Sequence, residues 1–509
     1  MKFARSSGIL LHPTSLPGPY GIGELGREAL EFIDYLVAAG QKIWQVLPLN
    51  PTGYGDSPYQ SFSAFAGNSL LISLDLLRER GVLGADDLRN IPLFPAAQVD
   101  FARVIDFKFP LLRKAAKNFF ESASTSDRAA FNEFCAENAD WLDDYALFMA
   151  AKDEYGGIVW TSWDKKLAQR DPVALDEWRA RLASGIDAYK YWQFEFFAQW
   201  SAVRERCRLH DIRIMGDIPI YVAHDSADVW ANPQLFHLNS DGTPALVAGV
   251  PPDYFSATGQ LWGNPIYRWN LMRQNGYAWW IERVRGSLRM FDMVRIDHFR
   301  GFEAYWEIPA GEPTAMNGKW TKGPGAEFFR VVTKTLGDLP IVAENLGVIT
   351  PEVEAIRHEF DFPGMALLQF AFGTDPQGPT FRPHNYVREL VAYTGGHDND
   401  TTIGWWNSGV ADSTRTEEDL AREHEFTRRY LGFTEDQERE LNWIFIRAVM
   451  ASVAATVIIP MQDVLGLGTE ARMNLPGSLG RNWKWRMHTG DLRPEHQARL
   501  KELAVTFDR

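Results

Sequence analysis

The sequence predicts an α/β protein built as a (β/α)₈ TIM barrel with large insertions between barrel strands. Eight short apolar segments recur along the chain, each with the length of a buried parallel strand and each ending in polar, Gly or Pro residues. Amphipathic helical patterns such as "ELGREALEFIDYLVAAG" separate most of them. The chain has 509 residues, a size that barrels with insertions reach as one unit. We therefore expect a single barrel over residues 1–509.

The predicted strands are short and strongly apolar, which is typical of strands covered on both faces by helices. In chain order they read "GILLHP" from Gly8, "KIWQVLPL" from Lys42, "IRIMGDIP" from Ile212, "MVRIDHF" from Met293, "IVAENLG" from Ile341, "MALLQFA" from Met365, "VAYTGGHD" from Val391 and "TVIIPMQD" from Thr456. A further stretch, "SLLISLDLL" from Ser69, is also a candidate strand. We assign it to an insertion rather than to the barrel.

Two connections between predicted strands are too long to be simple crossovers. Residues 50–206 contain long helical patterns such as "DRAAFNEFCAENADWLDDYALFMAAKDEY", which predict a mostly helical insertion. Residues 218–289 are rich in Pro, Gly and aromatic residues, which predict a loop-rich insertion. We expect both insertions to lie over the mouth of the barrel.

Composition and charge exclude several classes of partner. The formal net charge is −14 and no run of Lys or Arg occurs, so nucleic acid and anionic membrane surfaces are disfavoured. The two cysteines, Cys135 and Cys207, cannot form a disulfide framework. The longest apolar stretch, Ala448–Met461, is shorter than the roughly 20 residues of a membrane span. The sequence therefore predicts a cytoplasmic protein, and it indicates no oligomeric state.

Two opposite charges, Arg295 and Asp297, interrupt the predicted strand "MVRIDHF". Side chains two positions apart on a strand point to the same face, and active sites of barrels lie at the carboxyl ends of the strands. Taken alone, the pair suits a structural ion pair as well as it suits a catalytic site.

Three other predicted strands also end in acidic residues: Asp217 in "MGDIP", Glu344 in "VAENLG" and Asp398 after His397 in "TGGHDND". A buried acid costs several kcal/mol unless it is paired or used, so this set favours a functional site over packing. The carboxylates and His397 are also ligand types that bind a hard cation. Arg295 argues against a metal, because a fixed cation beside the central carboxylate would repel it.

Two carboxylates in different surroundings are what glycoside chemistry requires. Arg295 is expected to favour the ionised form of Asp297, which suits a nucleophile. Glu344 follows the apolar run "PIVA", which would raise its pKa toward that of a general acid. The alternative for Glu344 is a structural carboxylate bonded to Asn345.

A sugar substrate also predicts aromatic walls, because the apolar faces of pyranose rings pack on aromatic side chains. Candidate aromatic residues lie in the Gly- and Pro-rich segments of the insertions. They are Tyr54, Tyr59, Tyr254, Phe255 and Trp262. Each one alone suits packing better than binding, but the loops that carry them are typical of binding surfaces.

The ordered set of motifs resembles the amylomaltases, or 4-α-glucanotransferases (disproportionating enzymes), of the α-amylase clan. The resemblance covers nearly the whole chain and is carried by "GILLHPTSLPGPYGIGELG", "WQVLPLNPTGYGDSPYQSFSAFAGN", "GDIPIYVAHDSADVWA", "VAGVPPDYFSATGQLWGNPIY", "VRIDHFRGF", "VAENLG", "HDNDTT" and "MQDVLGLG…RMNLPG". Two features depart from the family: Gly396 stands where Thr is usual, and "FAFGTDP" replaces an acidic-Gly-acidic order. Neither is a proposed catalytic side chain, so they bear on chain-length preference rather than on reaction type.

The resemblance implies the roles of the acidic residues. Asp297 would be the nucleophile, Glu344 the acid/base and Asp398 the carboxylate that binds sugar hydroxyls and stabilises the transition state. Arg295, His397 and Asp217 would be supporting residues. The flexible acceptor loop of the family corresponds to residues 249–263.

The expected activity is therefore the transfer of a segment of an α-1,4-glucan or maltooligosaccharide to the 4-hydroxyl of another glucan by retaining double displacement, with cyclisation to large cyclic glucans as a further outcome. This chemistry requires no cofactor and no metal. The alternatives are an α-amylase-like hydrolase, which shares the catalytic residues, and a non-catalytic glucan-binding protein. The intact acidic residues argue against the second alternative.

Overall fold

The structure, a computed structural model, describes residues 3–252, 256, 258–409, 416–478 and 480–509. Its strands form one eight-stranded parallel sheet and one four-stranded antiparallel sheet. The strands are β1 (Ser6–Leu10), β2 (Ile43–Gln45), β3 (Arg213–Pro219), β4 (Leu246–Val250), β5 (Gln260–Pro265), β6 (Met293–Asp297), β7 (Ala304–Pro309), β8 (Lys319–Lys322), β9 (Ile341–Ala343), β10 (Gly364–Leu367), β11 (Leu390–Tyr393) and β12 (Thr456–Pro460).

The eight-stranded sheet has the order β10-β11-β12-β1-β2-β3-β6-β9, and every adjacent pair is parallel. The two edge strands approach each other. The backbone N–H of Ala343 in β9 donates to the carbonyl of Pro363 just before β10 (2.8 Å), and the N–H of Met365 in β10 donates to the Asn345 side chain (2.8 Å). The sheet is therefore a nearly closed barrel, as predicted, and each of its strands overlaps a predicted segment.

Helices cover the outside of the barrel and fill the long connections. They are α1 (Arg27–Ala38), α2 (Leu74–Glu79), α3 (Phe101–Ser122), α4 (Thr125–Glu137), α5 (Ala139–Glu154), α6 (Lys165–Ala168), α7 (Pro172–Arg181), α8 (Ala183–Leu209), α9 (Ala227–Ala231), α10 (Trp269–Gln274), α11 (Ala278–Met290), α12 (Gly325–Leu336), α13 (Pro351–Glu359), α14 (Thr402–Asn407), α15 (Glu417–Leu431), α16 (Leu441–Ala451), α17 (Met461–Leu465) and α18 (Pro494–Thr506). Helices α2 to α8 lie between β2 and β3, where the sequence predicts helical structure. No helix in the described part of the chain is long and apolar enough to cross a membrane.

The prediction of a strand at Ser69 is wrong. Residues Ser69–Leu71 form a 3₁₀ helix, and α2 begins at Leu74. Side chains before each helix accept a hydrogen bond from its first turn: Asn68 from the N–H of Leu70 (3.0 Å) and Ser73 from the N–H of Leu76 (3.5 Å). Caps of this kind favour a helical start over a strand, and the apolar residues Leu70 and Leu71 between them are buried.

The four-stranded sheet, with the order β5-β4-β7-β8, was not predicted. Two of its strands lie in the connection between β3 and β6, and the other two follow β6 before α12. A short 3₁₀ helix, Phe299–Phe302, connects Asp297 at the carboxyl end of β6 to strand β7 of this sheet. Strands β5 and β8 of this sheet include exposed residues, whereas the residues of barrel strand β6 are buried up to the half-buried Asp297.

Candidate active site

Arg295 links two carboxylates at the carboxyl ends of β3 and β6. Its guanidinium donates to Asp217 Oδ2 (2.7 Å) and to Asp297 Oδ1 (2.8 Å). The register places Arg295 directly opposite Asp217 on the neighbouring strand, so both side chains lie on the same face. The hydroxyl of Tyr59 also donates to Asp217 Oδ2 (2.7 Å). Arg295 and Asp217 are buried, whereas 29% of the Asp297 side chain is exposed.

This arrangement distinguishes a structural ion pair from a catalytic site at Arg295 and Asp297 in β6. Asp217 is the structural partner of Arg295, because its side chain is fully buried and both donors converge on one of its oxygens. Asp297 accepts from the same guanidinium but keeps contact with solvent. The buried cation thus holds an accessible carboxylate in place.

Glu344 lies one residue beyond β9, next to Asp297. Because Ile296 pairs with Ala343, the acids that follow them occupy matching positions on adjacent strands. The Glu344 carboxylate accepts from the backbone N–H of His298 at Oε2 (2.8 Å) and of Leu346 at Oε1 (2.8 Å).

Burial raises the pKa of Glu344 to about 7, although nearby Arg295 and the two backbone N–H groups act in the opposite direction. The predicted direction of this shift is confirmed. The alternative bond to Asn345 is not formed, because that amide contacts Glu354 and the backbone of Met365 instead.

Asp398 lies beyond the end of β11, and 52% of its side chain is exposed. The side chain of Asn474 donates to Asp398 Oδ1 (2.6 Å), and Arg472 donates to the Asp398 carbonyl (2.6 Å). His397 Nε2 lies 3.4 Å from Asp398 Oδ1. Burial lowers the pKa of His397, so its ring favours the neutral form at neutral pH.

Aromatic rings connect these groups. The Tyr59 ring stacks on the His397 ring, with centroids 5.1 Å apart, and both lie near Trp483. Trp262 contacts the His298 ring edge to face, with centroids 4.8 Å apart. Tyr59 and Trp262 come from different long connections, so both connections contribute to the site.

The predicted aromatic residues thus divide into three groups. Tyr59 and Trp262 lie at the acids, while Tyr54 is 75% exposed and has no described ring contact with them. Tyr254 and Phe255 lie outside the described residues, as does part of the predicted loop 249–263. Sequence reasoning assigned no role to Asn474, Arg472, Trp483 or His298. The motif "RMNLPG" contains two of these residues and was the available signal.

A metal centre would require a cluster of ligand side chains. Within the described ranges, no group of three or more His, Cys, Asp or Glu side chains is placed to hold a metal ion. The carboxylate of Asp297 instead accepts a hydrogen bond from Arg295.

A nearly closed parallel barrel with solvent-accessible carboxylates at its carboxyl end defines the class of protein: a (β/α)₈-barrel enzyme with a site suited to glycoside chemistry. Comparisons with known proteins agree. A family model described as 4-alpha-glucanotransferase matches residues 11–492. The chain therefore belongs to the 4-alpha-glucanotransferase family.

Relatives of known name match over the full chain. The 4-alpha-glucanotransferase of Thermus thermophilus is 50% identical, with 100% of both chains covered. That of Synechocystis sp. is 51% identical, with 99% of this chain and 98% of the relative covered. Among solved structures, amylomaltase from Streptococcus agalactiae in complex with acarbose is similar, with a TM-score of 0.93, 41% identity and 99% of each chain covered.

Proposed function

We propose that this enzyme transfers a segment of an α-1,4-glucan to the 4-hydroxyl of a second glucan, or of glucose, by a retaining double displacement. The observation that carries this proposal is the contrast between two neighbouring acids. Asp297 is ion-paired with Arg295, whereas Glu344 has its pKa raised to about 7 by burial. One acid is suited to attack and the other to hold a proton, which is the division of roles that glycoside cleavage needs.

In the first step, the Asp297 carboxylate attacks the anomeric carbon of the donor sugar. Glu344 gives its proton to the glycosidic oxygen, so the bond breaks and the leaving glucan departs with a free 4-hydroxyl. The product is a glucosyl ester of Asp297. In the second step, an acceptor 4-hydroxyl attacks the same carbon, Glu344 takes its proton, and Asp297 is released as the carboxylate.

The placement of the two acids on adjacent strands supports retention. They follow paired residues on adjacent parallel strands, which lie about 4.8 Å apart. Retaining enzymes place their carboxyl groups about 5 to 5.5 Å apart, whereas inverting enzymes need a wider gap for a water molecule. Direct adjacency in the sheet therefore favours the covalent route.

Asp398 is suited to bind sugar hydroxyls. It is the most exposed of the three acids and is fixed by Asn474. A carboxylate placed beside the reacting sugar also stabilises positive charge that develops on the ring in the transition state. His397 and Tyr59 support it from one side through their stacked rings.

Transfer rather than hydrolysis is favoured by the family and by the surroundings of the acids. Both long connections supply side chains at the site, and we propose that residues 50–206 and 218–289 shape a glucan cleft over one catalytic barrel spanning residues 1–509. Aromatic surface at the acceptor side excludes water and binds the incoming sugar. Trp262, within the predicted acceptor segment 249–263, already lies against His298.

Incubation with maltotriose tests the proposal. A ladder of longer maltooligosaccharides together with glucose is the expected result. Shorter products alone would indicate a hydrolase, and an unchanged substrate would indicate a binding protein. Incubation with long amylose, followed by digestion with an enzyme that needs a free chain end, tests whether the same transfer also closes cyclic glucans.

The covalent step has its own test. A 5-fluoro-α-glucosyl fluoride donor slows hydrolysis of the ester, so the adduct should accumulate on Asp297 and be located by peptide mass spectrometry. An Asp297→Asn variant is the matched control and should carry no adduct. Labelling at another carboxylate would contradict the assignment.

A further inference from the structure

Trp320 is an exposed aromatic residue on the four-stranded sheet. It lies in the edge strand β8, pairs with Trp306 of β7 and is 40% exposed. The Trp306 ring meets it edge on, with centroids 5.3 Å apart. Most other large rings of the chain are buried, so the exposure of this one calls for an explanation.

The Trp320 ring is held rigidly from one side. The guanidinium of Arg300 lies 3.8 Å from the ring centroid, which is a close cation–π contact. Arg300 is itself buried and also donates to the carbonyl of Val348. Because one face of the indole carries the guanidinium, its exposed area lies on the opposite face and the edges.

Each charged group around this ring has a partner within the protein, and Arg300 has the carbonyl of Val348. Lys322, two positions along β8 on the same face as Trp320, pairs with the buried carboxylate of Glu303. We define Trp320, Arg300, Glu303 and Lys322 as the Trp320 platform. Its one open apolar face beside paired polar groups suits a neutral ligand that carries both C–H and hydroxyl groups, which describes a pyranose ring.

Short stretches of chain join the Trp320 platform to the candidate active site. Arg300 is the third residue after Asp297, a stretch of chain that spans at most about 11 Å. Val348, which accepts from Arg300, is the fourth residue after Glu344. The loops that carry the two acids therefore meet beneath Trp320. One exposed ring is also far smaller than the roughly 1,200 to 2,000 Å² of a stable protein interface.

We propose that the Trp320 platform binds a glucose unit of the same α-1,4-glucan chain that occupies the catalytic cleft, several units from the bond that is cut. This inference rests on the proposed function for the identity of the polymer. The platform adds affinity only for glucans long enough to reach it. Short substrates such as maltotriose occupy the cleft alone.

The test compares Trp320→Ala with wild type on two substrates. For amylose, kcat/KM is expected to fall about fivefold, the value of one aromatic stack, while kcat/KM for maltotriose stays unchanged. For Trp320→Phe, which keeps a ring, kcat/KM for amylose should lie between the values of wild type and Trp320→Ala. Val505→Ala, which truncates a 71% exposed side chain on α18, is the control for loss of exposed apolar area and should match wild type.

A binding measurement that does not depend on turnover completes the test. Wild type should be retarded in a native gel that contains amylose, and Trp320→Ala less so. Equal losses of kcat/KM on both substrates, or no loss on either, would overturn the proposal. So would a change in molecular mass by light scattering between wild type and Trp320→Ala, since that would identify a second copy of the chain as the occupant. If wild type gives no ladder from maltotriose yet shows Trp320-dependent retardation, the proposed transfer fails while the platform stands.

Discussion

The carboxylate of Glu344 accepts a hydrogen bond from the backbone N–H of His298, at 2.8 Å. His298 is the residue after Asp297, so the chain that carries one acid directly positions the other. Its backbone is left-handed, with φ of 51° and ψ of 49°. That conformation is uncommon for a residue other than Gly, and the N–H points toward Glu344, just beyond the end of β9.

Glu344→Gln should remove the general acid. We expect kcat on maltotriose to fall by about 10² to 10⁴. In wild type, cleavage needs protonated Glu344, whose pKa is raised to about 7 by burial, so kcat/KM should decline as the pH rises through that value. The variant should lose this decline. It should also form the glycosyl ester from α-maltosyl fluoride, which needs no protonated leaving group; failure there would assign Glu344 another role.

The left-handed backbone at His298 predicts a difference between two substitutions that both remove the imidazole. Asn tolerates this conformation, whereas the β-branched Val does not. In His298→Val the N–H should move away from Glu344. Loss of a hydrogen bond to the charged form raises a carboxyl pKa, so the decline of kcat/KM should shift to higher pH. In His298→Asn the decline of kcat/KM should occur at the same pH as in wild type. Equal pH profiles for the two variants would contradict this account.

Arg295→Ala should lower both stability and turnover. It leaves the fully buried Asp217 without its cationic partner, which costs about 3 to 5 kcal/mol of the free energy of unfolding. The double variant Arg295→Ala/Asp217→Asn should recover part of that stability, because the neutral amide needs no counter-ion. Its kcat should remain low, since Asp297 still lacks Arg295. Denaturant unfolding and maltotriose kinetics on the same samples separate the two effects.

The barrel and its acids were predictable because buried parallel strands leave a strong local signal. Each barrel strand is a short apolar run, and its end is marked by a polar residue such as Asp217 or Glu344. The raised pKa of Glu344 also follows from the sequence, because the apolar run "PIVA" before it indicates burial, and burial raises the pKa of a carboxyl group. These features depend on the residues of one strand and its immediate continuation.

Features that depend on distant partners were not predictable in this way. Strand β8 reads "KWTK", without the alternation of apolar and polar residues that marks a half-buried strand. Asn474 lies 76 residues from Asp398 and shares no local pattern with it. Tyr59 was expected to form an aromatic wall, but its hydroxyl also donates to Asp217 from 158 residues away. Such contacts are set by the tertiary fold.

Asp463 holds the segment of chain that carries Asp398. This buried carboxylate, in α17, accepts from the Thr394 hydroxyl and from the backbone N–H of Thr402 (2.7 Å), on either side of that segment. Asp463→Ala would leave both donors buried and unpaired, each at a cost of about 1 to 3 kcal/mol. We expect lower stability and a lower kcat, whereas Asp463→Asn, which keeps an acceptor, should retain most of both. Thermal unfolding and maltotriose kinetics measure this, and an unchanged kcat in Asp463→Ala would exclude a positioning role.

The partition of the glycosyl ester between water and sugar provides the last prediction. Trp262 packs against His298, which adjoins Asp297, and it lies in the predicted acceptor segment 249–263. Removing its ring should admit water and weaken acceptor binding while leaving Asp297, Arg295 and Glu344 in place. We therefore expect Trp262→Ala, and likewise Tyr254→Ala or Phe255→Ala, to raise the ratio of hydrolysis to transfer. The measurement compares new reducing ends with total glucose released from maltotriose, and Leu93→Ala serves as a control for loss of an exposed apolar side chain. If the ratio is unchanged in all three variants while the far-ultraviolet circular dichroism matches wild type, acceptor choice does not depend on this segment.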